Sequence, residues 1–186
     1  MKIGLLPVGQ VALDVIDNLA ASLPKHFPNS TCNSIREALP IPPEAFSLSR
    51  NQHNSSVILN QIRVYTERQF QFSRVLGIVD VDIFASDLNF VFGEAYSPGT
   101  AALISIWRLK PSFYGETAGG EVFVSRVIKE AVHELGHTLG LLHCPKGSCV
   151  MHFSNSIVDT DKKESLFCND HYLQATTAIK QLKGTP

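Results

Sequence analysis

The stretch HELGHTLGLLH, residues 133 to 143, restricts the possible folds of this chain more than any other part of it. His133 and His137 are four apart, so on a helix both imidazoles lie on one face, about one turn apart, able to grip one ion. Glu134 sits beside the first of them, near that ion but free to act as a base. Gly140 tolerates positive φ and permits a sharp turn where the helix ends. The turn can swing His143 back towards the same ion. Three histidines leave one coordination position open, which is what a catalytic zinc needs. Any fold of this chain must therefore deliver a helix, a reversal at Gly140 and an immediate return.

The next residues carry a second set of ligand types. Cys144 follows His143 directly, and neighbouring side chains in extended or turn structure point different ways, so the two can serve different ions. Cys144 and Cys149 form a C-x4-C pair. Cys168 and His171 form a C-x2-H pair at the start of a helical pattern. Together they make a Cys3His set, the composition of a closed structural zinc site. Residues 141 to 164 have few apolar anchors, and a metal staple would fix them where burial does not. Other readings stay open at these positions. Cys144 and Cys149 could be free core thiols, or a disulfide in an exported chain. His171 could be a surface residue, with water, Cys32 or a more distant group completing the site. Cys32 is otherwise expected to be a plain buried thiol.

Bulk properties narrow the setting. The 186 residues suit one domain, 44% hydrophobic content supplies a core, and 18% charged residues argue against disorder. A formal net charge of −1 gives no field to attract nucleic acid or anionic lipid. No apolar run reaches the length of a membrane span. Pro7, Gln10, Asp14 and Asp17 interrupt the apolar start, so no signal-peptide core forms and a cytoplasmic chain is expected. A monomer is the default.

Periodicity sets out an α/β (α+β) order. Strands are expected over 2–8 and 74–84, with two more in FVFGEAYSPG and TAALISIWRL around a Pro-Gly turn. Helices are expected over 11–23, 55–70, 121–140 and 165–183. A short strand and a long loop fill 24–54. Alternation early and mixed strands later imply a twisted mixed sheet with helices packed on it. No linker divides the chain, so 1–186 reads as a single domain. Its 1–140 subdomain ends with the histidine helix, and 141–186 carries the cysteines.

The full spacing H-E-x-x-H-x-x-G-x-x-H is the metzincin form of the zincin motif. The wider pattern HELGHTLGLLHC, CVMHFSNS and FCNDH resembles the archaemetzincins over residues 131 to 171. KIGLLPVG, GEAYSPGTAALISIWRL and the chain length support it more loosely. The resemblance implies a compact metzincin-like domain and a zinc peptidase acting on peptides or proteins. It implies two zinc ions per chain: a catalytic one on His133, His137 and His143, and a structural one on Cys144, Cys149, Cys168 and His171. It makes Glu134 the base on zinc-bound water and Met151 the methionine of a turn beneath the ligands. One departure stands out: the family usually ends in Cys-x-x-Cys, and His171 occupies the last position here. Some metzincins offer a tyrosine two residues after that methionine, where this chain has Phe153. The strand in TAALISIWRL, if it is the sheet edge, could align an extended peptide. Trp107 is expected in the core. The rival classes are a zinc-stabilised peptide-binding module with little turnover, and a metal-dependent hydrolase of some other bond. An intact Glu134 argues against the first.

Overall fold

The computed structural model describes residues 1–69, 71–117 and 119–182. The chain opens with β1 (Lys2–Val8), α1 (Leu13–His26) and β2 (Thr31–Ser34). The short strands β3 (Phe46–Ser47) and β4 (Gln52–Asn54) lead into α2 (Ser55–Thr66). Then come β5 (Arg74–Val79), β6 (Ile83–Phe84), β7 (Gly93–Ala95) and β8 (Ala101–Ser105). Three helices finish the chain: α3 (Gly120–Thr138), α4 (Ile157–Lys162) and α5 (Asn169–Leu182).

The main sheet has the order β2-β1-β5-β8-β7, parallel except for β7, which runs antiparallel to β8. A smaller sheet has the order β3-β4-β6. Side chains alternate across the main sheet, as a period of two requires. Ile3, Leu5, Leu76, Ile78, Ala102 and Ile104 share one apolar cluster with α1, α3 and α5. Leu6, Val8, Val75, Val79 and Leu103 share the opposite cluster with Ile58, Leu59 and Ile62 of α2. The result is a mixed α/β fold with helices on both faces. The first cluster runs from Met1 to Ile179 and takes in Cys144, Cys149 and Met151, so the metal-ligand types sit on the main core.

Several elements depart from expectation, each for a physical reason. TAALISIWRL is not the sheet edge: β8 lies between β5 and β7 with every residue buried. Its unbroken apolar run is what a strand covered on both faces carries. The edge beside it is β7, a three-residue strand. Beyond β8 the chain tightens into a 3-10 turn, and Trp107 there is 41% exposed rather than in the core. Its ring instead faces Lys110, whose Nζ lies 5.1 Å from the centroid. The expected strand over 74–84 breaks after Val79 and resumes as β6 in the other sheet.

The segment 141–164 is better anchored than its composition suggests. Leu141, Val150, Met151 and Ile157 are buried, and Ser156 and Asp159 form a capping box that starts α4. Helix α2 ends at Thr66 and α5 begins at Asn169. The expected ends of these helices at Phe70 and Lys183 lie outside the described residues. Cys32 is half-buried rather than fully buried, and desolvation pushes its thiol up to about 12. No helix among the described residues is long and apolar enough to cross a membrane.

Candidate metal centres

The helix α3 packs its inner face against the sheet and α1, and His133 and His137 emerge one turn apart near its C-terminal end. The helix stops at Thr138, where Arg74 donates to the Thr138 hydroxyl and carbonyl from β5. A guanidinium at that end also suits the helix dipole. Gly140 follows with φ of 85°, the left-handed conformation that reverses the chain. The reversal brings His143 back. His137 Nε2 lies 3.1 Å from His133 Nε2 and 3.2 Å from His143 Nε2.

The ring tautomers follow from the backbone. His133 Nδ1 donates to the Val150 carbonyl at 2.8 Å, and His137 Nδ1 to the Leu141 carbonyl at 2.7 Å. Each Nδ1 therefore carries the proton, and each Nε2 presents a lone pair. Burial keeps all three imidazoles below their usual range, His133 most of all, with the Lys163 charge also lowering His133. Neutral nitrogens this close, with lone pairs converging, repel unless a cation lies between them. A tetrahedral zinc with bonds of about 2.1 Å spaces its nitrogens about 3.4 Å apart, so the set fits that ion.

Glu134 lies beside this triad and is 5% exposed. Burial, reinforced by the Glu130 charge, holds its carboxyl well above the usual carboxylate range, and Lys163 opposes them. Strand β7 passes directly over it. A Cβ on Gly93 would sit 2.5 Å from Glu134 Cγ and 2.7 Å from its Oε1, so only glycine lets strand and carboxylate meet. A cleft of about 200 Å3 opens here, lined by residues 88–93, Glu130, His133, Glu134 and 153–155.

Beneath the triad, Met151 packs against Gly136, where a Cβ would come within 2.5 Å of the methionine Sδ. The fully buried Met151 therefore forms a floor under the turn of α3 that lies between the two helical histidines. The Phe153 ring stands 4.9 Å from that of His143.

A second cluster begins one residue after His143. Donor atoms of Cys144, Cys149, Cys168 and His171 all lie within 4.8 Å of one another. The Cys144 and Cys168 sulfurs are 3.9 Å apart, and Cys168 Sγ is 3.3 Å from His171 Nδ1. Zinc–sulfur bonds of about 2.3 Å imply sulfur separations of about 3.8 Å, so this set also fits a tetrahedral ion. His171 donates from Nε2 to the Leu142 carbonyl at 3.1 Å, which leaves Nδ1 as its ligand atom. The thiols differ. Burial pushes Cys149 up to about 11. Burial also acts on Cys168, but hydrogen bonds to His171 and the other two cysteines outweigh it and bring that thiol down to about 6. All four cysteines of the chain are free, so the disulfide reading of Cys144 and Cys149 does not hold. Cys32 is not part of the cluster.

Sequence reasoning picked out the residues of both clusters but missed what surrounds them. Glu130 and Lys163 form a buried ion pair at 2.9 Å, with side chains 4% and 0% exposed. Glu130 precedes Glu134 by four residues on the same helix face, and that spacing was the available signal. Nothing in the sequence around Lys163 or Gly93 marks either one.

Residues 44–176, which contain both clusters, match the sequence profile of peptidase family M54. The chain is a member of peptidase family M54. An archaemetzincin of Methanocaldococcus jannaschii is 44% identical over 171 residues, spanning 90% of this chain and 89% of the relative. The archaemetzincin structure from Methanopyrus kandleri matches with a TM-score of 0.85 at 31% identity, over 97% of this chain and 96% of that one. That from Archaeoglobus fulgidus, a malonate complex, matches with a TM-score of 0.80 at 39% identity, over 94% of this chain and 99% of that one. This M54 chain is accordingly a zinc metalloprotease of the archaemetzincin family, with peptides or proteins as substrates.

Proposed function

We propose that His133, His137 and His143 hold the catalytic zinc and that Glu134 is the general base of peptide hydrolysis. The observation that carries this reading is the convergence of three neutral imidazole nitrogens beside one buried glutamate in an open cleft. Zinc bound there supplies a Lewis acid that polarises the scissile carbonyl and acidifies water at its open position. Glu134 takes a proton from the attacking water and delivers it to the leaving amine. The Val150 and Leu141 carbonyls fix the orientation of His133 and His137 and raise their basicity. The free edge of β7 is suited to align an extended substrate by strand addition, directly over Glu134.

The second cluster reads as a structural zinc site on Cys144, Cys149, Cys168 and His171, closed by four protein ligands. On this reading 1–140 and 141–186 are two parts of one peptidase domain, joined where His143 meets Cys144. The four free thiols suit a reducing cytoplasm, and we read the chain as a monomer.

Incubation with a peptide library should give cleavage products with wild-type protein and none after zinc is removed with a chelator. Metal analysis should find two zinc ions per chain, and Cys149→Ser should lose one and keep the other. A single ion that Cys149→Ser removes would reject the two-site assignment. The strand contact makes its own prediction. Gly93→Ala should push the Glu134 carboxylate aside and lower kcat by about 100-fold, since misplacement near 1 Å costs that much. Zinc content should stay at the wild-type value. An unchanged kcat would show that β7 does not set the position of Glu134.

A further inference from the structure

The cleft beside Glu134 has a composition of its own. Its volume of about 200 Å3 is below the ~300–1,000 Å3 of pockets for drug-sized ligands, so it suits one large side chain. Leu88, Phe90, Phe92 and Phe153 supply apolar surface, and Glu130 and Ser154 supply polar groups. The aromatic wall is held rigidly. Phe90 and Phe92 meet edge to face at 5.2 Å, and Arg108 stacks 4.3 Å above Phe90 while Asp82 grips it with two hydrogen bonds. Arg50 holds the same segment by donating to the Leu88 carbonyl at 2.8 Å.

The polar groups are incompletely matched. Ser154 Oγ is buried and has no hydrogen-bond partner among the described residues. Glu130 lines the cleft as well, and its Oε1 accepts from Lys163 at 2.9 Å and from Thr160 at 3.1 Å. A desolvated hydroxyl of this kind is costly unless something brought into the cleft completes it.

We propose that this cleft selects a tyrosine flanking the scissile bond. An aromatic ring packs against the phenylalanines edge to face. The phenol O–H donates to Glu130 Oε2, and the phenol oxygen accepts from the Ser154 hydroxyl. Phenylalanine fills the same space but leaves the Ser154 hydroxyl unpaired, which is how a hydrogen-bonding site rejects an analogue lacking the hydroxyl. Lysine or arginine would bring a second cation to a carboxylate that Lys163 already neutralises. Ser154 and Glu130 thus become specificity residues of the peptidase, and this inference rests on the peptidase reading above.

The test uses paired peptides, acetyl-Ala-Ala-Tyr-Ala-Ala-amide and the same peptide with Phe or Lys in place of Tyr. With zinc-loaded wild type, kcat/KM for the Tyr peptide should exceed both others by at least about tenfold. Ser154→Ala should lower the Tyr-to-Phe ratio several-fold. A binding arm uses zinc-loaded Glu134→Ala protein and titration calorimetry with the same peptides, where no turnover is required. It should show the same order of affinity. Equal or better handling of Phe or Lys, or a ratio untouched by Ser154→Ala, would overturn the tyrosine site. If no peptide were cleaved but Tyr still bound selectively through Ser154, the cleft inference would stand and the hydrolytic reading would fall.

Discussion

Peptide cleavage should fall by about 100- to 10,000-fold in Glu134→Ala, the range expected when a positioned general base is removed. Zinc should stay bound, because none of the three imidazoles is changed and His133 and His137 keep their carbonyl partners on Val150 and Leu141. Glu134 is almost wholly buried, so alanine also leaves a void. Glu134→Gln controls for that: it preserves shape and can still hydrogen-bond, but it cannot take the proton. Both variants should lose turnover alike while metal analysis and thermal unfolding remain near wild type. Cleavage at the wild-type rate by either would reject Glu134 as the base. Loss of zinc along with activity would mean that the residue supports the metal rather than the proton transfer.

Lys163→Met should destabilise the protein by about 3–5 kcal/mol, the penalty for stranding one partner of a buried ion pair. Glu130 would then carry a charge in the core with only Thr160 bonded to Oε1. For a chain of this size that corresponds to a fall in Tm of about 6–20 °C. The double variant Lys163→Met, Glu130→Leu should recover much of the loss, because apolar replacement of both partners removes the desolvated charges together. Calorimetry of the zinc-loaded proteins would measure both. A Lys163→Met protein within about 1 kcal/mol of wild type would show that the pair contributes as little as a surface bridge.

The two clusters of candidate ligands were legible because their chemistry is tied to local spacing. His133 and His137 share a helix face, Gly140 marks the reversal, and Cys168 and His171 fall within one turn. The strands β1 and β5 and the helices α1 and α3 were legible from apolar runs and helical periods. What stayed hidden depends on partners distant in sequence. Helix α4 has six residues and little apolar periodicity; Arg126 holds it by gripping Asp161, and Lys129 by donating to the Thr160 and Asp161 carbonyls. Lys163 looks like a surface residue until Glu130 meets it across the fold. Whether TAALISIWRL is the sheet edge could not be read from its residues, because strand order depends on pairings distant in sequence; β8 lies inside the sheet. The edge is β7, shorter than the strand expected in FVFGEAYSPG, and the need for its glycine shows only where Glu134 lies beneath it.

The segment from Leu141 to Met151 works as a measuring rod between the two candidate metal clusters. Leu141 and Leu142 orient His137 and His171 through their carbonyls, and Val150 does the same for His133. His143, Cys144 and Cys149 offer donor atoms, and the Cys144 N–H is tied to the Met151 carbonyl at 2.9 Å. Composition can therefore vary here more readily than length. One added residue on either side of Cys144 would shift a ligand away from its centre or a carbonyl away from its ring. At the exposed tip, residues 145–148, the Lys146 carbonyl accepts from the Cys149 N–H, but a Cβ on Gly147 would meet nothing within 4 Å. A side-chain label at Gly147 could therefore be carried without touching either cluster, whereas an insertion there would lengthen the span between Cys144 and Cys149.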